Sequence, residues 1–415
     1  MMNWLLEQNA LAAANGNQCH ELVFLTQRQN YPTPDGITKI LYRPHHRPAE
    51  NAYGLSKVWE EAAGTGYGAV AALKAHEAAT GFRPDLIVGH TGWGEMLFLK
   101  ELWSDVPVLG FFEYHYNVTG AAVGFDPDDP VAEHTPYLLG ARNAVPRAAL
   151  HTVDRLTAPT QWQADLFPAL FRQNMYVCHD GIRTDKLRSN PGVELSLGRL
   201  GRALTREDEI FTYVARNMET MRGFHIFMRA LPRILKGRPN ARVIIVGGND
   251  VSYGPKANAK GGFRAALEAE VGTEVDWDRV HFVGQLPYPD FQKVVQISRC
   301  HIYLTKPFVL SWSLLEAMAM EAPIVASDVA PVREVVTHGK NGLLVDFFDP
   351  AALGEQVIEV LARHAEDPTA YNAMRTRARA HVVENYDFKT VCLPRHLEEM
   401  NALVPAEVGH IAPPI

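Results

Sequence analysis

Short runs of apolar, mostly β-branched residues alternate with longer stretches of helical periodicity along most of the chain. In the first half these runs predict strands, and helical patterns such as 53–80 and 135–153 fill most of the gaps. Alternating strands and helices are typical of parallel sheets covered by helices on their faces. The strands predicted in this half lie at 21–26, 37–42, 86–90, 106–113, 155–159 and 175–179.

A second series of the same kind follows a polar segment at 183–208. Pro191, Gly192 and scattered charges give this segment the composition of an interdomain linker. Two doubly wound α/β domains in succession are therefore the simplest architecture. The strands predicted in the second half lie at 211–216, 242–246, 280–283, 302–305, 323–327 and 343–345.

The composition narrows the classes of partner and compartment. The chain has 415 residues, 47% of them hydrophobic, which is enough for two or three domains with their own cores. A formal net charge of −7 without blocks of like charge argues against nucleic acid or an anionic membrane as an electrostatic partner. A weak peripheral membrane contact through one local patch stays open. The cysteines are scattered and form no CxxC pair, which favours a reducing cytoplasm and argues against a metal site. No apolar run reaches the length of about 18 residues that a membrane span needs, so the membrane face of the cytoplasm is the other location considered.

The most informative segment is 307–319, which reads PFVLSWSLLEAMA and lies between two apolar runs. Its order predicts a strand, a polar turn, a helix and a second strand, with Ser311 and Ser313 at the helix start and Glu316 one turn inside. A helix N-terminus presents unpaired N–H groups and partial positive charge, which favour a bound phosphate. A carboxylate on the same turn accepts hydrogen bonds from sugar hydroxyls, although an acid in a first turn also simply stabilises the helix dipole. The two features together suit a nucleotide-sugar ligand.

The runs LLEAMA, APIVASD and VREVVTHGKNGLLVD resemble the donor-binding half of the family-4 retaining glycosyltransferases, which have the GT-B fold. In that family the block usually carries two glutamates separated by seven residues; here the second is Glu316, and Phe308 stands in place of the first. The segment is similar to a bacterial subgroup with a PFVLSWSLLEAMA-type donor block. The resemblance implies two doubly wound, Rossmann-like domains facing across a cleft, with the acceptor on the first and the donor on the second.

The resemblance also implies domain boundaries. The acceptor-side domain would occupy 1–190, the nucleotide-sugar domain 205–385, and a helical segment at 386–415 would cross back to the first domain. A domain of this family normally opens with a strand and a glycine-rich turn, whereas this chain opens with a helical pattern at 3–15 before the strand at 21–26. The first domain is therefore expected to lack its usual first strand.

Two arginines, Arg216 and Arg222, flank the turn after the strand predicted at 211–216. Open α/β sheets bind ligands at the carboxyl ends of their strands, and arginine clamps phosphate oxygens in a bidentate way. In the family, a basic pair with this spacing grips the donor diphosphate, with a lysine usually at the place of Arg222. The alternative, on the residues alone, is a pair of surface arginines on a loop.

The resemblance implies further contacts to the donor and the transferred sugar. Glu316 would hold the ribose hydroxyls of the nucleotide. In the first domain His90 ends a strand, and Glu113 and His115 follow the next one, where the family often places a histidine near the transferred sugar. A purely structural role for a histidine at a strand end is the alternative. The residues expected to line the donor are Gly247, Gly248, Gly284, Gln285, Leu286, Leu310, Ser311, Trp312, Ser313 and Leu315.

The prediction is therefore a retaining, metal-independent hexosyltransferase without a cofactor, which takes a nucleotide-diphosphate sugar and a glycan or lipid-linked acceptor. Family habit alone suggests bacterial surface polysaccharide synthesis as its setting. Two alternatives stay open. One is a catalytically inactive relative that binds a nucleotide or a glycan, because of Phe308 and the missing first strand. The other is a sugar-nucleotide epimerase of the same fold, which would need acid–base carboxylates in the cleft.

Overall fold

A computed structural model describes residues 1–14, 19–198, 201–254, 260–405 and 411 of the chain. Its contacts divide the chain into two compact units. The N-terminal unit comprises Met1–Val118, Val131–His179 and Leu393–Ile415, and the C-terminal unit comprises Thr119–Pro130 and Asp180–Cys392. In the described part of the chain, no helix combines the length and the apolar character needed to span a membrane.

Parallel strands and flanking helices form the N-terminal unit. Its elements up to residue 179 are α1 (Met2–Ala14), β1 (Leu22–Thr26), β2 (Ile37–Leu41), α2 (Gly54–Thr80), β3 (Ile87–His90), α3 (Leu99–Leu102), β4 (Val108–Phe111), α4 (Thr135–Ala149), β5 (Arg155–Ala158), α5 (Gln161–Asp165), α6 (Ala169–Arg172) and β6 (Met175–Val177). Strands β3 to β6 form a four-stranded sheet in sequence order, and β1 pairs with β2 in a separate two-stranded sheet. Val108, Val145 and Ala149 are almost completely buried in the apolar core of this unit.

Glycines on α2 let neighbouring segments approach this helix closely. A Cβ atom at Gly64 would lie 2.2 Å from the carbonyl oxygen of His46, and one at Gly66 would lie 2.6 Å from that of Gly94. Because a side chain at either position would clash with backbone, the glycines hold the loops that follow β2 and β3 against the helix.

Six parallel strands form the main sheet of the C-terminal unit. Its elements are β7 (Leu195–Ser196), β8 (Ala203–Leu204), β9 (Ile210–Asn217), α7 (Phe224–Gly237), β10 (Arg242–Gly248), α8 (Gly262–Val271), β11 (Val280–Gly284), α9 (Tyr288–Ile297), β12 (Cys300–Tyr303), α10 (Trp312–Ala319), β13 (Ile324–Ser327), α11 (Ala330–Arg333), β14 (Leu343–Val345), α12 (Pro350–Glu366) and α13 (Asn372–Tyr386). The strand order is β11-β10-β9-β12-β13-β14, so the order reverses between β9 and β12. At such a switch point the carboxyl ends of the two strands leave a crevice in which α/β proteins bind ligands.

Helix α10 is held in place by its apolar face. Leu314, Leu315 and Met318 are completely buried, and burying each such side chain stabilises the fold by about 1.5–3 kcal/mol. The helix starts beside the end of β12, because the backbone N–H of Ser311 donates to the hydroxyl of Tyr303 at 2.9 Å. The N-terminus of α10 therefore lies at the switch point.

The predicted α/β fold with two Rossmann-like units is confirmed. Every predicted strand is present with its ends shifted by at most two residues, and the first described strand follows a helix, α1. Residue 15, the last of the helix predicted there, lies outside the described residues. The segment 183–208 was expected to be a plain linker, but it carries the antiparallel pair β7 and β8. These strands have two residues each, which is too short to leave a periodic pattern.

Two stretches join a different unit from the one that their position in the chain suggests. Helix α14 (Leu393–Leu403) belongs to the N-terminal unit, where Glu399 pairs with Arg155 at 2.6 Å. Residues 386–392, expected to cross over with it, belong to the C-terminal unit, and 406–410 and 412–415 lie outside the described residues. Conversely, Thr119–Pro130, here called the strap, leaves the N-terminal half and joins the C-terminal unit.

Candidate functional site

Arg222 is a buried cation at the switch point of the C-terminal sheet. It ends the 3₁₀ turn Thr220–Arg222 that follows β9, and Gly223 beside it adopts a left-handed φ of 66°. Only 8% of Arg222 is exposed. Its Nη1 donates to Thr305 Oγ1 at 2.9 Å and to the carbonyl oxygen of Val309 at 3.1 Å. These hydrogen bonds fix the guanidinium group against the loop that leads from β12 to α10.

Arg216, near the end of β9, contacts the same aromatic ring as Arg222. Its Nη1 donates to the hydroxyl of Tyr253 at 3.3 Å, and the centre of that ring lies 5.9 Å from Arg216 Cζ and 5.6 Å from Arg222 Cζ. The ring of Phe308 lies 5.0 Å from that of Tyr253 and 5.6 Å from Arg222 Cζ. Cation–π contacts of this kind stabilise both guanidinium groups without neutralising them.

The arginine pair lacks a direct ionic partner within the described residues. Neither guanidinium group forms an ion pair with a described carboxylate, whereas Arg229 and Arg238 of the same unit pair with Glu270 and Glu209 at 2.6 and 2.5 Å. A buried cation without a counter-ion costs free energy, so the site favours an anionic ligand.

Glu219, which lies between the two arginines in the chain, organises the loop after β10. Its side chain is completely buried, and its Oε2 accepts the backbone N–H groups of Ser252, Tyr253 and Gly254 at 3.2, 3.0 and 3.1 Å. This holds Tyr253 against the arginine pair. The sequence prediction missed Glu219, and an acid inside a basic turn was the signal that could have indicated it.

Glu316 lies one turn inside α10 and is 9% exposed. Ser311 caps the helix, since its Oγ accepts the N–H of Ser313 at 3.3 Å. The hydroxyl of Tyr288 donates to Glu316 Oε1 at 2.5 Å. Burial raises the pKa of Glu316, and the hydrogen bond from Tyr288 opposes that shift. A carboxylate fixed in this way can accept hydrogen bonds from the hydroxyl groups of a ligand.

The turn after β11 leads directly to Tyr288. Gly284 adopts a left-handed φ of 71°, Gln285 is exposed, and Leu286 packs partly against the core. Tyr288 begins α9, and its hydrogen bond to Glu316 connects two segments that were predicted to bind the donor. The sequence prediction missed Tyr288, because one tyrosine at a helix start carries no distinctive pattern.

The remaining residues predicted to line the donor have diverse surroundings. Gly247 and Gly248 end β10, and a Cβ atom at Gly248 would lie 2.3 Å from the side-chain oxygen of Asn217, so this glycine permits close packing of strand ends. Leu310 and Leu315 are buried in the core, so neither side chain is exposed to a ligand. Trp312 is half-exposed at the start of α10.

A buried ion pair ties the strap to the loop that holds Arg222. Only 1% of the Lys306 side chain is exposed, and its Nζ lies 3.0 Å from Asp126 Oδ2 and 3.4 Å from Asp129 Oδ2. His225 Nε2 lies 3.3 Å from the same oxygen of Asp126. His225 and Lys306 lower the pKa of Asp126 far below its ordinary value despite its burial. The strap thereby supplies the counter-charge of Lys306, which the sequence prediction did not anticipate.

Glu113 and His115 of the N-terminal unit differ in their surroundings. The side chain of Glu113 is 41% exposed, and His90 Nε2 at the end of β3 lies 3.3 Å from its Oε2. His115 is 4% exposed, its ring packs against Phe167 and Phe171, and burial lowers its pKa. Glu113 therefore lies at the surface with His90, and His115 lies in the core. A contact of Glu113 or His115 with substrate stays a prediction, and the burial of His115 does not favour a direct one.

Sequence comparisons match both halves of the chain. The sequence profile of the Glycosyl transferase family 4 group matches residues 18–187, and that of Glycosyl transferases group 1 matches residues 201–381. The D-inositol 3-phosphate glycosyltransferase of Streptomyces scabiei is 28% identical over 310 residues, which are 73% of this chain and 63% of that protein. The match thus spans less than two thirds of that relative.

Structural comparisons show the fold. The sucrose-phosphate synthase of Thermosynechococcus elongatus has a TM-score of 0.66 and 19% identity, and the match covers 96% of this chain and 92% of that one. Anabaena HepE, solved in complex with UDP and glucose, has a TM-score of 0.59 and 18% identity over 88% of this chain and 86% of that one. Both likenesses extend over the two units of the chain.

Proposed function

Because the chain belongs to the family-4 glycosyltransferases and has the GT-B fold, we propose that it is a retaining glycosyltransferase that uses a nucleotide-diphosphate sugar. The observation that carries this proposal is the arginine pair at the switch point. Arg222 is buried, Arg216 shares the ring of Tyr253 with it, and neither has a carboxylate partner among the described residues. A diphosphate supplies a direct ionic partner and accepts bidentate hydrogen bonds from guanidinium groups.

In this proposal, the nucleotide moiety binds next to the diphosphate through Glu316 and Tyr288. Glu316 accepts hydrogen bonds from the ribose hydroxyls. The hydroxyl of Tyr288 orients this carboxylate and favours its ionised form, which accepts more strongly than the protonated form. The turn that contains Gly284 and Gln285 leads into Tyr288 and contacts the base.

The transfer step that we propose moves the sugar directly to the acceptor. The acceptor hydroxyl oxygen bonds to the anomeric carbon while the bond from that carbon to the terminal phosphate oxygen breaks. The electron pair of the broken bond goes to the diphosphate, and the proton of the acceptor hydroxyl goes to the departing phosphate oxygen. Fixed positive charge stabilises that oxygen in the transition state. Arg216 and Arg222 provide this charge, so the proposed reaction needs no metal ion. The acceptor oxygen attacks the same face of the sugar from which the diphosphate leaves, and the configuration of the sugar is therefore retained.

The acceptor side of the proposal rests on the N-terminal unit. We propose that a glycan or lipid-linked acceptor binds there with a contact to Glu113. The solved complex of HepE with UDP and glucose makes UDP-glucose the first donor to test. A cytoplasmic enzyme of bacterial surface polysaccharide synthesis, with a peripheral contact to the inner face of the membrane, is the setting that we propose from family habit.

A nucleotide-binding relative without transferase activity is the second candidate, and Phe308 favours it. The family usually has a glutamate at this position. Here an aromatic ring, 6% exposed, packs on Arg222 instead. The donor block therefore has one carboxylate where the family pattern has two.

A panel of nucleotide sugars tests the proposal when release of nucleoside diphosphate is followed for the purified chain and for Glu316→Ala. Release from one donor, lost in the variant, supports a transferase. Nucleotide binding without release from any donor, in the presence of mixed glycan acceptors, favours the second candidate. Once a product forms, its anomeric configuration is read by proton NMR, and an inverted product contradicts the retaining mechanism.

A further inference from the structure

Trp93, His90 and Glu113 form a surface cluster in the N-terminal unit. Strands β3 and β4 pair in parallel with His90 opposite Phe111, which brings the residues after the two strands together. His90 Nε2 lies 3.3 Å from Glu113 Oε2, and the His90 ring lies 5.8 Å from that of Trp93 at an interplanar angle of 27°. Trp93 is 67% exposed, so its indole presents a large apolar surface next to a carboxylate.

The backbone holds this cluster in a fixed arrangement. Gly94 adopts a left-handed φ of 106°, and a Cβ atom there would lie 2.2 Å from the carbonyl oxygen of Ala62 on α2. The completely buried Gln163 donates from Nε2 to the carbonyl oxygen of Glu113 at 2.6 Å. A ligand that binds here therefore orders little of the protein, which favours affinity.

The hydrogen bonds define the polar side of the cluster. The backbone N–H of Gly92 donates to His90 Nδ1 at 3.0 Å, which requires a lone pair on that nitrogen and places the ring hydrogen on Nε2. His90 then donates to Glu113 Oε2 and orients the carboxylate. Because the Glu113 side chain is 41% exposed, its oxygens keep capacity to accept hydrogen bonds from ligand hydroxyls.

An aromatic face beside a carboxylate acceptor matches the chemistry of a sugar ring. A pyranose has C–H groups that pack on an indole face, and hydroxyl donors around its rim. Binding sites for small molecules commonly combine an aromatic wall with a few polar groups that fix orientation. The negative charge of Glu113 disfavours a phosphorylated ligand at the same place.

We propose that Trp93, His90 and Glu113 form the acceptor subsite, and that it takes an uncharged pyranose ring stacked on Trp93, with one hydroxyl donating to Glu113. The role of this sugar as acceptor rests on the proposed glycosyltransferase function. The binding of the sugar itself needs no donor, so the two are tested separately.

Fluorine NMR of the full chain labelled with 5-fluorotryptophan tests this subsite in the absence of a donor. The Trp93 resonance is assigned with Trp93→Phe. The probes are the methyl α-glycosides of glucose, mannose and galactose, with glucose 6-phosphate as the charged counterpart. At least one methyl glycoside is expected to shift the Trp93 resonance in a saturable way. Glucose 6-phosphate should bind at least about tenfold more weakly than that glycoside.

Two variants control for indirect effects. Glu113→Ala should weaken glycoside binding by about tenfold, whereas Trp59→Phe, an exposed tryptophan of α2, should bind like the unaltered chain. The other tryptophan resonances report whether each variant is folded. The subsite is overturned if no glycoside shifts the Trp93 resonance, if Glu113→Ala binds normally, or if glucose 6-phosphate binds as tightly as the neutral sugar. If the subsite fails this test but the chain turns over a donor, the proposed function stays intact. If a glycoside binds but no donor is turned over, the saccharide site is supported and the proposed transferase function is contradicted.

Discussion

The ammonium group of Lys306 lies 3.0 Å from the carboxylate of Asp126, and both side chains are almost completely buried. Lys306 follows Thr305, which accepts a hydrogen bond from Arg222. Asp126 comes from the strap, far earlier in the chain. A segment of the N-terminal half therefore completes the charge balance of the loop beside the arginine pair.

Replacing Asp126 by asparagine is expected to destabilise the C-terminal unit by about 3–5 kcal/mol, because Lys306 loses its nearest counter-ion in a buried position. Urea unfolding of the purified variant measures this change. Asp128→Asn is the matched control in the same strap, since its side chain is 72% exposed and the free energy of unfolding should change by less than about 0.5 kcal/mol. Combining Asp126→Asn with Lys306→Met should recover much of the loss. Equal free energies of unfolding for Asp126→Asn and Asp128→Asn would show that the ion pair between Asp126 and Lys306 contributes nothing to stability.

Removing the hydroxyl of Tyr288 is expected to move the acid limit of donor binding to higher pH. Burial raises the pKa of Glu316 and the Tyr288 hydrogen bond lowers it, so Tyr288→Phe leaves the carboxylate easier to protonate. In the proposed function donor binding needs the ionised carboxylate, so we expect it to be lost as the pH falls through the pKa of Glu316. Donor KM measured as a function of pH checks this, with the exposed Tyr137→Phe as control. If the donor KM of Tyr288→Phe and of the unaltered chain rises at the same acidic pH, the Tyr288 hydroxyl does not control the ionisation of Glu316.

Introducing a glutamate at Phe308 is expected to weaken nucleoside diphosphate binding by about tenfold or more. The new carboxylate would lie next to Arg222, whose Cζ is 5.6 Å from the present ring, and would compete with the diphosphate for its charge. Phe308→Leu keeps the site apolar and should bind the nucleotide nearly normally. Calorimetric titration measures both variants. Faster turnover in Phe308→Glu would instead indicate that the phenylalanine has impaired an ancestral site.

His115→Phe is expected to keep kcat within about threefold of the unaltered chain. The His115 ring is buried against Phe167 and Phe171, and burial lowers its pKa, so an apolar ring of similar size fits the same surroundings. Glu113→Ala, measured in the same assay, should lose most of the acceptor-dependent rate. If the folded His115→Phe variant loses as much rate as Glu113→Ala, His115 contacts the substrate, as the family resemblance implies.

The strands were predictable because parallel strands covered on both faces leave continuous apolar runs, such as those that became β12 and β13. The arginine pair was also recognisable, because Arg216 and Arg222 flank a turn at a strand end. Residue pairs that only tertiary contacts bring together could not be predicted from the sequence. The charge of Asp126 gives no local sign of its burial against Lys306. The pairing of His90 with Glu113 likewise depends on the register of β3 and β4, which no local pattern reveals.

The central claim is that the arginine pair binds the diphosphate of a nucleotide. Titration calorimetry with UDP and GDP, each compared with its nucleoside, tests this on the unaltered chain, on Arg222→Ala and on Arg233→Ala, an exposed arginine of α7. For one base, the diphosphate should bind about 100-fold more tightly than the nucleoside. Arg222→Ala should lose most of that difference without weakening the nucleoside, and Arg233→Ala should behave like the unaltered chain. Equal binding of diphosphate and nucleoside, or an unchanged diphosphate affinity in Arg222→Ala, would contradict the claim.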